Sequence, residues 1–310
     1  MLGLDPDPSR LWPEAVETTG HGVDDSAAGA AGAAGAAEPV DAPGARDPAV
    51  RAARAVVEHC RLVIEATAAQ CVAVKLQVAC FERLGAPGWD ALARAVAIAR
   101  EHGLLVIGDA KRGDIDVTAA AYGQAFFGPV PTPFGTLPGL GVDALTVNPL
   151  LGRDSLVPLA DAARAADAGL FVLVRTSNPG AADVQDQRLE GGASVSDRLA
   201  ELVAELGASG TGEAGISDIG AVAGATAPEH LERLRRAMPT APFLLPGVGA
   251  QGGSVDDLAA AFTPGPAGGL VAASRGIVYA FEKSGGSPEQ AAWAEAARLR
   301  ALAWSVSQPG

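Results

Sequence analysis

The amino-acid sequence predicts a single α/β domain of the (β/α)8 TIM-barrel class, and three observations carry that prediction. Short, continuously apolar segments alternate with helical stretches along nearly the whole chain. Eight such segments can be counted, which is the number a closed barrel needs. No GxGxxG follows the first of them, which counts against the rival architecture, an open Rossmann-like sheet. Unbroken apolar runs, rather than alternating ones, are expected where a parallel sheet is covered on both faces.

The first strand is Leu2-Gly3-Leu4-Asp5. Residues 24–48 are low-complexity Ala/Gly/Pro and lack the large apolar side chains that offset the entropy of ordering, so they read as a flexible insertion within a single domain spanning 1–310. A helical stretch from Val50 to Ala69 leads to the strand Cys71–Leu76, then a helix Trp89–Glu101 and the strand Leu104–Asp109. Next come a helix near Ile115–Phe126, the strand Ala144–Asn148, a helix Asp154–Ala166 and the strand Leu170–Val174. The remaining units are helix Ser196–Leu206 with strand Ile219–Ala223, helix Pro228–Met238 with strand Phe243–Leu245, and helix Val255–Phe262 with strand Leu270–Ala273. A last helical region ends the chain.

Composition narrows the function. In 310 residues, 48% are apolar but only 5% aromatic, so the core must be built from Ala, Val and Leu. The net charge of −13 makes nucleic acid and anionic lipid poor partners, and an anionic ligand must meet a locally basic pocket. Cys60, Cys71 and Cys80 have no CxxC spacing, which argues against a disulfide framework or a zinc site. His21, His59, His102 and His230 are scattered, without HxxH or HExxH spacing. No apolar run is long enough to span a membrane, and the start lacks a basic segment followed by an apolar one. A cytoplasmic protein without a metal is the expectation.

The chemistry concentrates in Asp109-Ala110-Lys111-Arg112-Gly113-Asp114. Residues i and i+2 of a strand share a side, so Asp109 and Lys111 should both face the barrel mouth, where barrel enzymes keep their reaction centres. Asp114 lies beyond Gly113, where the chain turns into the next helix, giving one lysine two carboxylates within sequence reach. Lys75, closing the preceding strand, completes a charged set Lys75/Asp109/Lys111/Asp114. Such carboxylates keep the ammonium charged and repel a bound carboxylate by about 4 kcal/mol at ~4 Å and a protein-like dielectric. A substrate that loses CO2 escapes that repulsion, while the lysine stabilises and protonates the carbanion. An isolated DxK pair is more often a salt-bridged loop; the full run at the end of a barrel strand favours the chemical reading.

Barrels commonly hold phosphate with the loops after strands seven and eight. The first reads Pro246-Gly247-Val248-Gly249-Ala250-Gln251-Gly252-Gly253, whose glycines let backbone N–H groups approach an anion, and the second reads Ala273-Ser274-Arg275-Gly276. Either alone would pass for an ordinary Gly-rich turn; together they predict a phosphate site that includes Arg275.

These segments resemble orotidine 5′-phosphate decarboxylase (OMP decarboxylase). The resemblance runs from Gly3-Leu4-Asp5-Pro6 to Arg275, apart from the low-complexity stretch, and the DAKRGDI run is its specific signature. VKLQ, RTSNPGA, GAVAGAT, PGVGAQGG and AASRG resemble the mycobacterial and actinobacterial branch. The resemblance implies a cofactor-independent lyase that turns orotidine 5′-phosphate into UMP, with no metal and no organic cofactor. It implies that Asp5 and Lys75 bind ribose hydroxyls, that Lys75 also holds Asp109, that Asp109 stands against the substrate carboxylate and that Lys111 protonates C6. It places Asp114, Ile115 and Thr118 in the neighbouring subunit's site of a homodimer. Ser177 would hydrogen-bond the pyrimidine, Gln251 and Arg275 would hold the phosphate, and Pro246 would line the pocket. Two departures stand out: the strand opens at Met1, where that family carries residues ahead of it, and the Ala/Gly stretch has no assigned role.

Two alternatives remain at this level. A Mg2+-dependent sugar-phosphate decarboxylase or aldolase of the same suprafamily shares DxKxxD but has a glutamate at the end of strand two, where Lys75 would repel a metal. A non-catalytic phosphate-binding barrel should have lost part of the charged set, yet Asp109, Lys111 and Asp114 are all present.

Overall fold

The structure, a computed structural model, describes residues 1–21 and 47–308. Eight parallel strands form one sheet: β1 (Leu2–Leu4), β2 (Ala73–Gln77), β3 (Leu105–Arg112), β4 (Ala144–Val147), β5 (Gly169–Arg175), β6 (Ile219–Ala223), β7 (Phe243–Leu245) and β8 (Gly269–Val271), each beside its sequence neighbours. The ends meet through a parallel bridge between Leu2 and Ala273, with the Gly3 N–H donating to the Ala273 carbonyl at 2.8 Å. The predicted (β/α)8 barrel is therefore closed. Parallel neighbours require crossovers, and helices α1 (Pro13–His21), α2 (Pro48–Thr67), α3 (Val78–Glu82), α4 (Ala86–Glu101), α5 (Asp116–Phe127), α6 (Arg153–Ala165), α7 (Val195–Gly207), α8 (Leu231–Ala237), α9 (Arg275–Val278), α10 (Phe281–Ser284) and α11 (Pro288–Ser307) supply most of them.

Strand periodicity separates two apolar layers. Inward residues Ile107, Ala144, Phe171, Val222, Leu244 and Ala272 fill the barrel, while Leu4, Val74, Leu76, Val106, Leu145, Val172 and Leu245 face outward against the helices. The larger, outer layer is mainly Ala, Val and Leu, as the composition requires. The few aromatics take fixed places. Trp12 is fully buried, its indole N–H donating to the Val278 carbonyl at 2.9 Å and its backbone N–H donating to His59 Nδ1 at 3.1 Å. Burial pushes the His59 pKa down to about 4, so this ring is a neutral acceptor.

Several boundaries differ from the sequence reading. Asp47 and Pro48 end no loop: they are the N-cap and first residue of α2, with the Asp47 side chain accepting from the Ala49 N–H. The rest of the 24–48 stretch lies outside the described residues. Val255–Phe262 is a 3-10 helix rather than an α-helix. β3 continues through Arg112, so Asp109–Arg112 of the charged run are strand while Gly113 and Asp114 lie beyond it. An antiparallel hairpin, Val130–Thr132 with Gly135–Leu137, interrupts the passage to β4 and was absent from the sequence reading, although Pro133 and Gly135 at its tip are turn residues.

The end of the barrel opposite the charged run is tied by one arginine. Arg235, 5% exposed, makes no ion pair with any described residue. Its guanidinium donates to the carbonyls of Met238, Ala241, Ala261 and Gly268 at 2.6–2.9 Å and stacks 3.8 Å from the Phe243 ring. Burial lowers its pKa to about 10, so it remains charged. It joins α8 to the segments that start β7 and β8, a role in stability rather than chemistry. Arg235→Met should therefore lower unfolding free energy by about 3 kcal/mol, the scale of charge-assisted bonds to carbonyls, while leaving ligand affinity unchanged. Urea unfolding with parallel ligand titration checks both.

Candidate active site

At the C-terminal ends of the strands the inward positions turn polar. They line a cavity of about 730 Å³ that includes Asp5, Lys75, Gln77, Asp109, Lys111, Thr146, Ser177, Pro246, Gln251 and Arg275. Parallel register brings the polar set together. Gly3 lies beside Lys75, and Gln77 beside Asp109. Between β3 and β4 the register jumps from Gly108–Leu145 to Arg112–Val147, so β3 carries two extra residues there. That bulge contains Asp109 and Lys111. Lys111 takes a left-handed backbone (φ +50°), which costs a non-glycine residue about 1 kcal/mol. Its N–H donates to Thr146 Oγ1 at 2.9 Å, which holds the turn.

Asp109 is the hub. Its Oδ1 accepts from Lys111 Nζ at 2.5 Å and from the Thr146 hydroxyl at 2.9 Å. Its Oδ2 accepts from Lys75 Nζ at 2.6 Å and from Gln77 Nε2 at 3.3 Å. Asp5 Oδ1 lies 3.6 Å from Lys75. Burial by itself would raise the Asp109 pKa, but the charges and hydrogen bonds of Lys75 and Lys111 outweigh it and hold the carboxyl at about 2. Burial likewise pulls the Lys75 pKa down, yet Asp109 and Asp5 leave it raised overall. The centre is thus a fixed Lys75–Asp109–Lys111 chain in which Lys75 and Asp109 are held as ions. The lysines differ in access: the Lys75 side chain is 8% exposed and that of Lys111 44%.

Across the cavity, Gly247 has φ +101°, and a Cβ there would lie 3.0 Å from Ser177 Cβ and 3.2 Å from Gln251 Oε1. Only glycine fits, and the β5 and β7 loops touch because of it. Arg275 is exposed at the start of α9 and pairs with no described acidic residue.

Of the residues singled out from sequence, Asp5, Lys75, Asp109, Lys111, Ser177, Pro246, Gln251 and Arg275 share this one cavity. Asp114, Ile115 and Thr118 do not line it. The Asp114 carboxylate accepts from the Ile115 N–H at 2.8 Å and makes no ion pair with Lys111, while Ile115 and Thr118 are exposed. Thr146 and Gln77 were missed. The signal for both was their inward parity, two residues after Ala144 and Lys75 respectively. Among the described residues no group of three His, Cys, Asp or Glu side chains is placed to hold a metal ion. Cys60, Cys71 and Cys80 are free.

A barrel that gathers its charged side chains at the C-terminal mouth is built as an enzyme. The chain belongs to the orotidine 5′-phosphate decarboxylase / HUMPS family, whose model matches residues 52–286. It is 43% identical over 255 residues to orotidine 5′-phosphate decarboxylase of Rhodopirellula baltica (81% of this chain, 82% of the relative). It is 46% identical over 233 residues to the protein of that name from Deinococcus radiodurans (75% and 80%). Among solved structures it is similar to OMP decarboxylase of Leishmania donovani, with a TM-score of 0.66, 33% identity and coverage of 81% of this chain and 89% of that one.

The depressed Asp109 pKa has a measurable consequence. A carboxyl that titrates at about 2 when folded and near 3.8 when unfolded stabilises the fold fully above pH 4, and that contribution fades as pH falls towards 2. Asp109→Asn lacks it. The stability difference between wild type and Asp109→Asn, followed by urea unfolding, should shrink steadily as pH falls below 4. A difference independent of pH would mean that Asp109 is not held as an ion.

Proposed function

We propose that this chain decarboxylates orotidine 5′-phosphate to UMP, the last step of de novo pyrimidine synthesis, and that it does so with its own side chains alone. The observation that carries the reading is the Lys75–Asp109–Lys111 chain at the cavity floor, with its 2.6 and 2.5 Å contacts. An ionised Asp109 beside the substrate's carboxylate repels it, and loss of CO2 removes the repulsion. The C6–carboxylate bond breaks with its electron pair left on C6. A proton from Lys111 Nζ then passes to C6, and the neutral amine regains a proton from water. The exposure of Lys111 permits that return, whereas buried Lys75 is suited to holding Asp109 in place. Asp5, beside Lys75, is accessible to a ribose hydroxyl. Arg275 and the glycine-rich loop carrying Gln251 supply the positive end for a phosphate, Pro246 lines the wall, and Ser177 faces the base.

The sugar-phosphate branch needs a divalent cation. Lys75 sits where that branch carries its glutamate, and the named relatives at 43% and 46% identity are orotidine 5′-phosphate decarboxylases. EDTA should therefore leave turnover of orotidine 5′-phosphate unchanged; activity lost to EDTA and restored by Mg2+ would move the chain to the other branch.

The reading includes a homodimer with shared sites. Support comes from the placement of Asp114, Ile115 and Thr118 outside their own cavity, and from exposed apolar residues in the segments that follow β3 and β4: Ile115 (54%), Val117 (75%), Leu150 (79%) and Leu151 (52%). Further propositions are that the protein works in the cytoplasm and meets neither membrane nor nucleic acid; no described helix is long and apolar enough to cross a membrane.

Two experiments test the site. Arg275→Ala should lower kcat/KM for orotidine 5′-phosphate by roughly a hundredfold, the size of a lost charge-assisted contact. Wild-type kinetics in that variant would place the phosphate elsewhere. Lys111→Ala and Asp114→Ala homodimers should each be nearly inactive. Mixed under conditions of subunit exchange they should regain up to about a quarter of wild-type activity, since roughly half the dimers are mixed and each has one intact site. No recovery despite exchange would show that Asp114 acts within its own subunit.

A further inference from the structure

The segment between β5 and α7 forms the wall of the cavity that carries Ser177, and it is closed at its base by two successive side-chain rungs. In the first, Arg175 Nε and Nη2 donate to the two carboxylate oxygens of Asp186, both at 2.9 Å, while Nη1 donates to the Thr176 carbonyl at 2.6 Å. In the second, the Thr176 N–H donates to Gln185 Oε1 at 2.8 Å, and Gln185 Nε2 donates back to Thr176 Oγ1 at 3.1 Å. Residues 177–184 are thereby held as a compact loop whose ends meet. Arg175 is only 8% exposed and stands outside the cavity lining, although the next residue, Thr176, lines it. A bulge between Leu173 and Arg175 takes it off the inward face of β5.

Both flanks of Ser177 are then fixed. The Gly224 N–H donates to the Arg175 carbonyl at 2.7 Å, and the Thr226 hydroxyl donates to the Ser177 carbonyl at 2.9 Å. A Cβ on Gly224 would lie 2.7 Å from Ser177 Cα, so the loop backbone sits directly on β6. A buried ion pair of this kind is commonly no more stable than an apolar replacement of the same shape. What the bidentate fork adds over an apolar pair is direction, because its two parallel bonds fix the orientation of the loop base.

We propose that Arg175, clamped to Asp186, is a positioning residue that sets the Ser177 hydroxyl for recognition of the pyrimidine ring. It contacts no substrate and acts only through the loop. The proposal rests on the decarboxylase reading given above, in which Ser177 faces the base.

The test compares a ligand that has a pyrimidine with one that lacks it. UMP and ribose 5-phosphate are titrated calorimetrically against wild type, Arg175→Lys, Asp186→Asn, Ser177→Ala and the Arg175→Lys/Ser177→Ala double variant. Turnover of orotidine 5′-phosphate by wild type comes first, since its absence would refute the decarboxylase reading and not the clamp. With wild-type turnover in place, Arg175→Lys should weaken UMP about tenfold, an ordinary coupling between residues that share a network. Ribose 5-phosphate affinity should stay unchanged, and the double variant should be no worse than Ser177→Ala alone. Equal weakening of both ligands, or losses that multiply in the double variant, would overturn the proposal and leave Arg175 a structural residue. If Arg175→Lys does not fold, Asp186→Asn carries the same expectation: its side chain is 26% exposed and its change alters one rung only. UMP binding as tight as wild type in folded Asp186→Asn would also overturn it.

Discussion

A carboxylate and an ammonium buried side by side constrain the rest of the barrel mouth. Either charge alone at that depth would be strongly disfavoured, and together they are tolerated only where geometry is good and every remaining lone pair and proton has a partner. Asp109 meets that demand with four donors, drawn from two lysines, an amide and a hydroxyl. The donors come from β2, β3 and β4, and Asp5 follows directly on β1. A slip of one residue in any of these strands would turn its contribution towards the helices and strand a charge. The charged centre therefore specifies the register of half the barrel, just as the register builds the centre.

The same constraint separates the two lysines. Lys75 lies in a regular strand, capped above by Asp5 and hidden from solvent. Lys111 reaches the same carboxylate from the opposite side only because the β3 bulge gives the chain two extra residues and a left-handed turn. A residue held that way keeps its ammonium at 2.5 Å from Asp109 while remaining open to water. In the proposed mechanism, backbone strain at Lys111 goes with a chemical requirement, a proton donor that can be recharged between cycles. Placing a second lysine in unbulged strand would have given another buried, fixed charge like Lys75.

The barrel was legible in the sequence because its strands are unbroken apolar runs, and most of its cavity because charged and glycine-rich segments follow those runs. Strand residues Ile219–Ala223 and Phe243–Leu245 lie where their apolar runs predict. Asp109 and Lys111 both line the cavity, as their spacing predicts, although the bulge between them and β4 was not foreseen. What escaped were features that depend on partners far along the chain. Thr146 reads as an ordinary β-branched strand residue until register sets it against Asp109. Arg235 reads as a helix-surface charge, since nothing local reveals that four carbonyls from three segments converge on it. Trp12 and α1 lay in a stretch too short for periodicity to register, and the 3-10 geometry of Val255–Phe262 is invisible to an apolar pattern that suits either helix type.

The acidic surface and the basic pocket also need each other. With 36 acidic residues against 23 lysines and arginines, the molecule as a whole repels a phosphate ester. Many of its arginines are neutralised where they stand: Arg61, Arg94, Arg153, Arg164, Arg175, Arg198 and Arg298 all contact carboxylates. In the cavity the charges of Lys75 and Lys111 are matched by Asp5 and Asp109, which leaves that cluster close to neutral. Arg275 is the lining cation without an acidic partner among the described residues, and Gly247, Val248, Ala250 and Gln251 of the glycine-rich loop line the same cavity. An anion therefore has one favourable end at which to enter. In the proposed reaction its other end meets Asp109, where a second negative charge is least welcome.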